Sequence, residues 1–545
     1  MITSITSLTV TQIAGLSTVD IQSLSKADIA FLLTTQLQAM STTQVEAFTI
    51  NQLSFSANQL SAFSDAQIEM FSPEEISALT PTQIRGLTPA ELTALTADQF
   101  AALTATQLGG LTASQLAGVT TSEISALTST QMAGLTITQI RLLGTTQIAS
   151  LTADQIAALR TTQVAALTAT QIGTLTSTQV AGLTATQLGI LSTTQVKGLS
   201  GAGLASFSSS QLAALRATQI AALATSATAA LITAQIAGLT TTQIAGLSAT
   251  QVAALPTRSV AALSASQLGA LTTAACTALT MAQARGLTTT QLAGLSANQI
   301  SVLTTSVLSV LDTTQIQALS TQQLLGLTRA ELAGLTTDDI GEFTTTQLAA
   351  LTSTQLGGLT STQLAALDET RLGALSATAL SGLTVAQIKD ISAAQLAQLS
   401  TTQIVGLTRT QIASLTSDQI TALTANQIGA LTATQIGGLT RAEAALLATA
   451  QLAGLSPSQL AGLTTTAMSG LSDNQLASLT TTQLTGLSST QLSALTATAF
   501  SALTTPQVRA LSVTQISGLS RAVISALSAA DIDELSNTQL AALNS

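Results

Sequence analysis

The sequence predicts an all-α solenoid of very short capped helices, one per eight-residue repeat. Three observations predict it. A Leu, or another apolar residue in its place, recurs every eight residues without a slip from Phe55 to Leu543. A Thr or Ser follows it and a Gln stands three residues further on, the signature of a helix capping box. Four of the six prolines fall on one repeat position, the first residue of the expected helix.

The stretch Leu239-Thr240-Thr241-Thr242-Gln243-Ile244-Ala245-Gly246 shows the period, and its positions are lettered a to h. Position a is Leu, b is Thr or Ser, e is Gln, f is Ile, Leu or Val, and h is Ala or Gly. Leu8, Leu16, Leu24, Leu32, Met40 and Phe48 begin the series, and one residue is missing before Phe55. The exceptions at a, namely Phe55, Phe63, Phe71, Val119, Phe207, Phe343 and Ile391, are all apolar. Strict length with loose sequence at c, d and g keeps each repeat in register with its neighbours.

The unit reads as a helix for physical reasons. Positions a and f lie five apart, so a strand would put them on opposite faces. The next a lies three after f, a helical neighbour spacing. The b hydroxyl accepts from the third amide of the helix, and the e side chain reaches back to the amide of b. Glu75, Glu91, Glu123, Glu331 and Glu443 at e do the same work as Gln, and Asp312 and Asp368 replace Thr at b. Residues a and f then form the two ends of a hydrophobic staple.

Pro73, Pro81, Pro89 and Pro457 fall at c, the first helical position, where proline is favoured; Pro256 at b and Pro506 at d fit less well. Most acids from Phe55 onward lie at b to e, near the positive end of the helix. Arg85, Arg141, Lys197, Arg285, Lys389 and Arg509 lie at g, near its negative end. Gly at h suits a left-handed residue that ends a helix, although Ala is almost as common there.

A helix of about one and a half turns is unstable alone, because nucleation costs more than so few hydrogen bonds return. Stacking must stabilise it, with an expected core of a, f and h. Two repeats per coil, with layers about 9 Å apart, would give a rod on the order of 300 Å long. No period of sixteen marks such a pair. The alternative is a β-solenoid, since Thr favours strands and Gln forms ladders. It fails on alternation across a and f and leaves the prolines unexplained.

Three regions are expected: irregular capping repeats over 1–54, the regular solenoid over 55–526, and repeats with an acidic cap over 527–545. Phe31, Phe48, Phe55, Phe63 and Phe71 are five of the nine Phe, and they cluster with Lys26, Asp28, Glu46, Asp65, Glu74 and Glu75. Asp531, Asp533 and Glu534 break the neutral pattern near the other end. Gly203, Ala227, Ala275, Val307 and Ala499 replace Gln at e, and Thr228 puts a hydroxyl at f, so these are expected soft spots.

Composition excludes much chemistry. Charged residues make up 7%, against about 25% in ordinary globular domains. There is no His, Trp or Tyr, and one Cys. That removes an imidazole base, a Ser-His-Asp triad, His-ligated metal and any intrachain disulfide. Three lysines (Lys26, Lys197, Lys389), a net charge of −10 and a pI near 4.4 argue against nucleic acid. Residues 217–257 lack charge, yet Gln219, Gln235, Gln243 and Gln251 interrupt them, so no transmembrane segment is expected. The start, Met1-Ile2-Thr3-Ser4-Ile5-Thr6, shows no basic region or apolar run, so no cleavable signal peptide is expected.

Each candidate site has a plainer structural explanation. Cys276 at f reads as a buried thiol, because a nucleophile would need a base. Asp338-Asp339 with Glu342, and Asp531 with Asp533 and Glu534, offer oxygens for Ca²⁺ but read as acids at helix starts. Met40 at a, and Met132, Met468, Phe100 and Phe500 at f, read as core. Gly201-Ala202-Gly203 is too short to cradle a phosphate. Threonine runs such as Thr240 to Thr242 could order water or bind ice, or simply cap and solvate. No catalytic, cofactor-binding or metal residue is expected.

Units such as Leu239 to Gly246 and Leu471-Ser472-Asp473-Asn474-Gln475-Leu476 resemble the Leu-Thr-x-x-Gln-Ile octapeptide arrays of large bacterial exoproteins. Those carry haem-utilisation or adhesion labels. With no His or Tyr, only Met or Cys remains to ligate haem, so the adhesion label fits better. The resemblance implies a non-enzymatic structural or adhesive repeat protein, extracellular or at a bacterial cell surface, acting as a stalk or repetitive binding face. The alternative is a Thr-array ice- or surface-binding solenoid. Sparse charge and two stackable ends favour self-association, end to end or side by side.

Overall fold

The computed structural model describes residues 5–543. Residues 1–4, on which the reading of the chain start partly rests, and residues 544–545 of the expected acidic cap lie outside them. Among the described residues the regular elements are sixty-six α-helices of four to seven residues and two 3₁₀ helices, with no strand. The fold is therefore the helical solenoid, and the β-solenoid alternative falls. The chain forms two compact units, Met1–Ala278 and Leu279–Ser545, built in the same way.

One repeat shows why the helices form. Thr240 is extended, with φ −70° and ψ 158°, and precedes helix Thr241–Ala245. Its Oγ1 accepts from the Gln243 amide at 3.2 Å, while Gln243 Oε1 accepts from the Thr240 amide at 2.9 Å. Two amides at the helix start are thus satisfied reciprocally. Pro73, Pro81, Pro89 and Pro457 each begin a helix, as expected. Pro506 takes the second position of helix Thr505–Ala510, where a missing N–H also costs nothing. Pro256 caps helix Thr257–Val260 without a side-chain bond, its carbonyl accepting from the Ser259 amide at 2.8 Å.

The helices do not end as Gly at h suggested. No described residue has positive φ. The chain leaves each helix through an extended a residue, as at Leu255 with φ −62° and ψ 135°. Glycine at h answers a different need, close approach between coils. A Cβ on Gly134 would lie 2.4 Å from the Ala105 carbonyl oxygen, and one on Gly406 2.2 Å from that of Ala377.

The core also differs from a, f and h. In the repeat from Leu151 to Ala158, Leu151, Gln155 and Ile156 are buried while Ala158 is half-buried. The buried polar residue is e. Gln171 Nε2 donates to the carbonyls of Ile140 and Leu143 in the preceding coil, both at 2.9 Å. In the second unit, Gln483 Nε2 donates to Leu452 at 2.9 Å and Leu455 at 2.7 Å. These bonds span 31 and 28 residues, so one coil takes between three and four repeats rather than two. A five-residue helix and one extended corner turn the chain too little to close a coil in two steps. Accordingly, helix Ala105–Gly110 packs on Ser129–Gly134, three repeats later, and Ala393–Gln398 on Ser417–Ala422.

The missing residue before Phe55 is absorbed locally. The 3₁₀ helix Ile50–Gln52 replaces an α-helix there. Gln52 still reaches Ile21 and Leu24 at 2.8 Å. The coil that straddles the gap is one residue shorter: Gln59 reaches Leu32, 27 residues back, at 2.8 Å. Gln83 returns to a span of 28, to Phe55. Phe48, Phe55, Phe63 and Phe71 pack edge to face around this point, with centroids 5.1, 5.4 and 5.6 Å apart in succession. Phe31 stands outside the cluster, 64% exposed.

Candidate functional site

The recurring polar constellation is the b hydroxyl with the e amide. The helix places both at its first turn, and the fold uses nearly all their bonding capacity. Thr240 Oγ1 accepts from one amide and donates to Gln243 Oε1 at 3.1 Å. Gln243 Nε2 donates to Leu212 and Leu215 of the preceding coil, each at 2.7 Å. Of the three hydroxyls in Thr240 to Thr242, those of Thr241 and Thr242 stay on the exposed surface. The capping role of Gln was legible, but its second bond was not. The one available signal was the excess of Gln over Glu at e, since a capping box accepts either.

Glu at e exposes that difference. Glu91 and Glu443 are buried and accept from the amides of Thr88 and Thr440 at 2.6 Å. Neither has an N–H for the coil before it. Burial pushes both carboxyls above their ordinary range. Further positions lack the amide beyond those expected: Ser259, Arg371, Ala379, Ala467 and Val523 also occupy e. The Ser259 hydroxyl is buried and finds no partner. Thr228 at f is satisfied: it donates to the Ala224 carbonyl at 3.2 Å and accepts from Gln251 Nε2 at 3.1 Å.

The acidic groups are drawn into the stacking separately. Asp339 caps its helix, its Oδ2 accepting from the Thr336 amide at 2.7 Å, and Glu342 accepts from Thr313 Oγ1 at 2.7 Å, a residue of the preceding coil. Asp531 accepts from the Ser528 amide at 2.7 Å and from Ser501 Oγ at 3.0 Å. The Ser528 amide holds its carboxyl below the ordinary range. Glu534 accepts from Thr505 Oγ1 at 3.0 Å. Asp338 and Asp533 remain exposed. No three such side chains converge on a cation position among the described residues.

The other candidates are packing residues. Cys276 is buried at the end of helix Thr273–Cys276. Met40, Met132, Met468, Phe100 and Phe500 are core. Gly201 begins helix Gly201–Ala205, where a Cβ would meet that of Ala230 at 2.9 Å. Arg371 forms the one ion pair among the described residues, with Asp368. The Arg371 amide, bonded to Asp368 Oδ1 at 2.8 Å, holds that carboxyl below its ordinary range.

A crevice of about 670 Å³ lies in the second unit between Thr378, Ser381, Thr402 and Val405. Small neutral side chains line it, so it offers shape without acid, base or charge. A smaller one, about 430 Å³, has Lys389 and Glu443 on its walls. Among the described residues no helix is long and apolar enough to cross a membrane.

Fold and site together define a helical tandem-repeat protein whose repeated polar groups serve the stack. Four stretches, residues 73–105, 137–169, 332–369 and 389–425, match the family model of the ALTTAQ repeat. That name spells positions h to e of the present period, as in Ala94-Leu95-Thr96-Ala97-Asp98-Gln99. The match establishes a repeat array over those stretches. No curated protein matches the chain. A solved structure described as "Structure of APUM23-GGAAUUGACGG" aligns over 99% of this chain and 95% of that one, at 11% identity and TM-score 0.12. So slight a likeness carries no argument.

Proposed function

We propose that this chain is a non-enzymatic structural repeat protein, working as a stalk or a repetitive adhesive face at a bacterial cell surface. One observation carries the reading. The groups that recur at b and e are consumed by capping and by coil-to-coil bonds, as at Thr240 and Gln243. What recurs outward is mostly small and neutral, with hydroxyls chiefly at d and in part at c, and mostly Ala or Gly at g. Such a surface is poor in charges for a trypsin-like protease to recognise and offers the same pattern at every step. The resemblance to octapeptide arrays of bacterial exoproteins supports the location.

Fractionation of the native host tests it. The protein is expected in the surface or medium fraction, removed from intact cells by an added protease of broad specificity that needs no Lys or Arg. Recovery in the cytosol alone, protected from that protease, would overturn the surface role and leave only a structural one.

A further inference from the structure

The charges of the first unit are not scattered evenly around its coils. Bonds between adjoining coils span 25 residues from Arg160 Nη2 to the Leu135 carbonyl, 28 and 31 from Gln139 Nε2 to those of Leu111 and Leu108, and 29 from Ser206 Oγ to that of Ser177. One coil therefore takes about 28 residues, or three and a half repeats. Two coils take seven whole repeats, or 56 residues. Residues 56 apart keep the same repeat letter and stand on the same side, two coils on.

Arg85, Arg141 and Lys197 are spaced in this way, all at g and all exposed. They form a column of positive charge, one in every second coil. Asp98 and Asp154, at d and exposed, have the same spacing. Asp98 follows Arg85, and Asp154 follows Arg141, by 13 residues, close to half a coil. The two carboxylates therefore stand on the side opposite the column. Asp65, Glu69 and Glu74 are also exposed, and one coil later their positions fall within five residues of Asp98. Arg160 and Arg216, again 56 apart, flank this acidic side, and Arg258 lies nearer the column. No acid occurs between Asp154 and Asp312, so Lys197 has none at its own level. None of these cations is paired within the chain, since the ion pair among the described residues joins Arg371 to Asp368.

Two sides of opposite sign and equal pitch fit each other. With coils about 9 Å apart, both columns repeat every two coils, or about 18 Å. A second copy displaced sideways and parallel sets its Asp98 and Asp154 against Arg85 and Arg141 of the first, two pairs in one register. Ala113 and Ala169 stand one coil on from Arg85 and Arg141, small enough to let the two surfaces approach. The contact is heterologous: each copy keeps one basic and one acidic side for the next, so association continues beyond a pair.

We propose that the first unit associates side by side with that of a second copy, the column of Arg85, Arg141 and Lys197 lying against the Asp98 and Asp154 side. Exposed ion pairs are individually weak and are screened by salt, so the contact is weak and salt-sensitive. It goes beyond the surface role proposed above and holds wherever the protein acts.

Sedimentation velocity of the full chain tests this at about 0.01 M and about 1 M salt, where the Debye length is about 30 Å and about 3 Å. The wild type is expected to form a concentration-dependent series of larger species at the lower salt and to lose it at the higher. R85E/R141E/K197E and D98K/D154K change exposed g and d residues outside the caps and the core, so their far-UV circular dichroism should match the wild type. Each variant alone should run as a single species at low salt. An equal mixture of the two should regain the series, because each then offers the charge that the other's reversed side requires. The proposal is overturned if the wild type stays a single species at low salt, or if its series survives high salt. It is equally overturned if either variant alone keeps the series, or if the mixture fails to regain it. Loss of helical signal in a variant leaves the salt response of the wild type to decide. A wild type that stays single but is shifted by added polyglutamate would also overturn it, giving the column to a polyanion instead.

Discussion

Gln243 Nε2 lies 2.7 Å from the carbonyl oxygen of Leu215, 28 residues earlier, while its Oε1 caps its own helix at Thr240. One side chain thus starts a helix and fastens it to the coil below. Gln243→Glu keeps the shape and the cap but removes the donor. It leaves the Leu212 and Leu215 carbonyls facing a carboxylate. Buried acceptors left unpaired cost about 1 to 3 kcal/mol each, so local opening should become easier by about 2 to 4 kcal/mol at neutral pH. Amide hydrogen exchange would show this as lost protection in helix Thr241–Ala245 and its lower neighbour. Unchanged protection would mean the coils hold by apolar packing alone.

Glu91 and Glu443 are natural instances of that substitution, and they give a pH dependence. Burial raises their carboxyl pKa in the folded chain above the ordinary 4.5. The folded state then holds protons more tightly than the unfolded one. Their contribution is most favourable below the unfolded value and is lost as pH rises through the raised folded value. E91Q/E443Q should therefore raise the unfolding temperature at pH 7 and change it little near pH 4. Asp20, Asp28, Asp368 and Asp531 act oppositely, since their folded pKa is depressed below 3.8 and their contribution is lost as pH falls through it. An equal gain at both pH values would show that packing, not charge, limits the Glu repeats.

The glycines separate by repeat position and by what lies opposite them. A Cβ on Gly246 would meet the Ala217 carbonyl oxygen at 2.5 Å, backbone that cannot swing away. Gly246→Ala should cost about 1 to 3 kcal/mol, as overpacking does. Gly341 and Gly373, one position earlier in their repeats at g, have nothing within 4 Å of the same atom. Alanine there should be neutral or stabilise by up to about 1 kcal/mol through the unfolded state. Differential scanning calorimetry of the three variants would rank them, and a Gly246→Ala chain as stable as Gly341→Ala would remove the close-approach argument.

Much of the fold is legible because its rules are local. The capping box, the staple and the first-position prolines act within five residues, so one repeat suffices to read them. The number of repeats per coil is not legible, because it depends on a small bend accumulated over some thirty residues. Nothing within one period records that bend. The bond from Gln171 to Leu143 is hidden for the same reason. A capping glutamine looks identical whether or not its amide also reaches another coil. Glycine at h misled because its usual reason, positive φ, differs from the reason here, contact with backbone such as Ala105 beneath Gly134.

Thr240 and Thr241 divide the hydroxyls into structural and surface classes. Thr240 Oγ1 accepts from the Gln243 amide at 3.2 Å, whereas Thr241 is exposed. Thr240→Ala removes a helix cap and should cost about 1 kcal/mol. Thr241→Ala should stay within about 0.5 kcal/mol, as exposed sites do. Exchange protection of helix Thr241–Ala245 measures both. A surface that acts by presenting hydroxyls must use those of the Thr241 class, since the others are spoken for by backbone amides. Replacing c and d threonines across many repeats should therefore abolish any surface binding while leaving the helical signal intact. If binding survives that replacement, the outward hydroxyls are not its determinant, and the apolar residues left exposed at c, such as Ile137 and Val513, become the face to test.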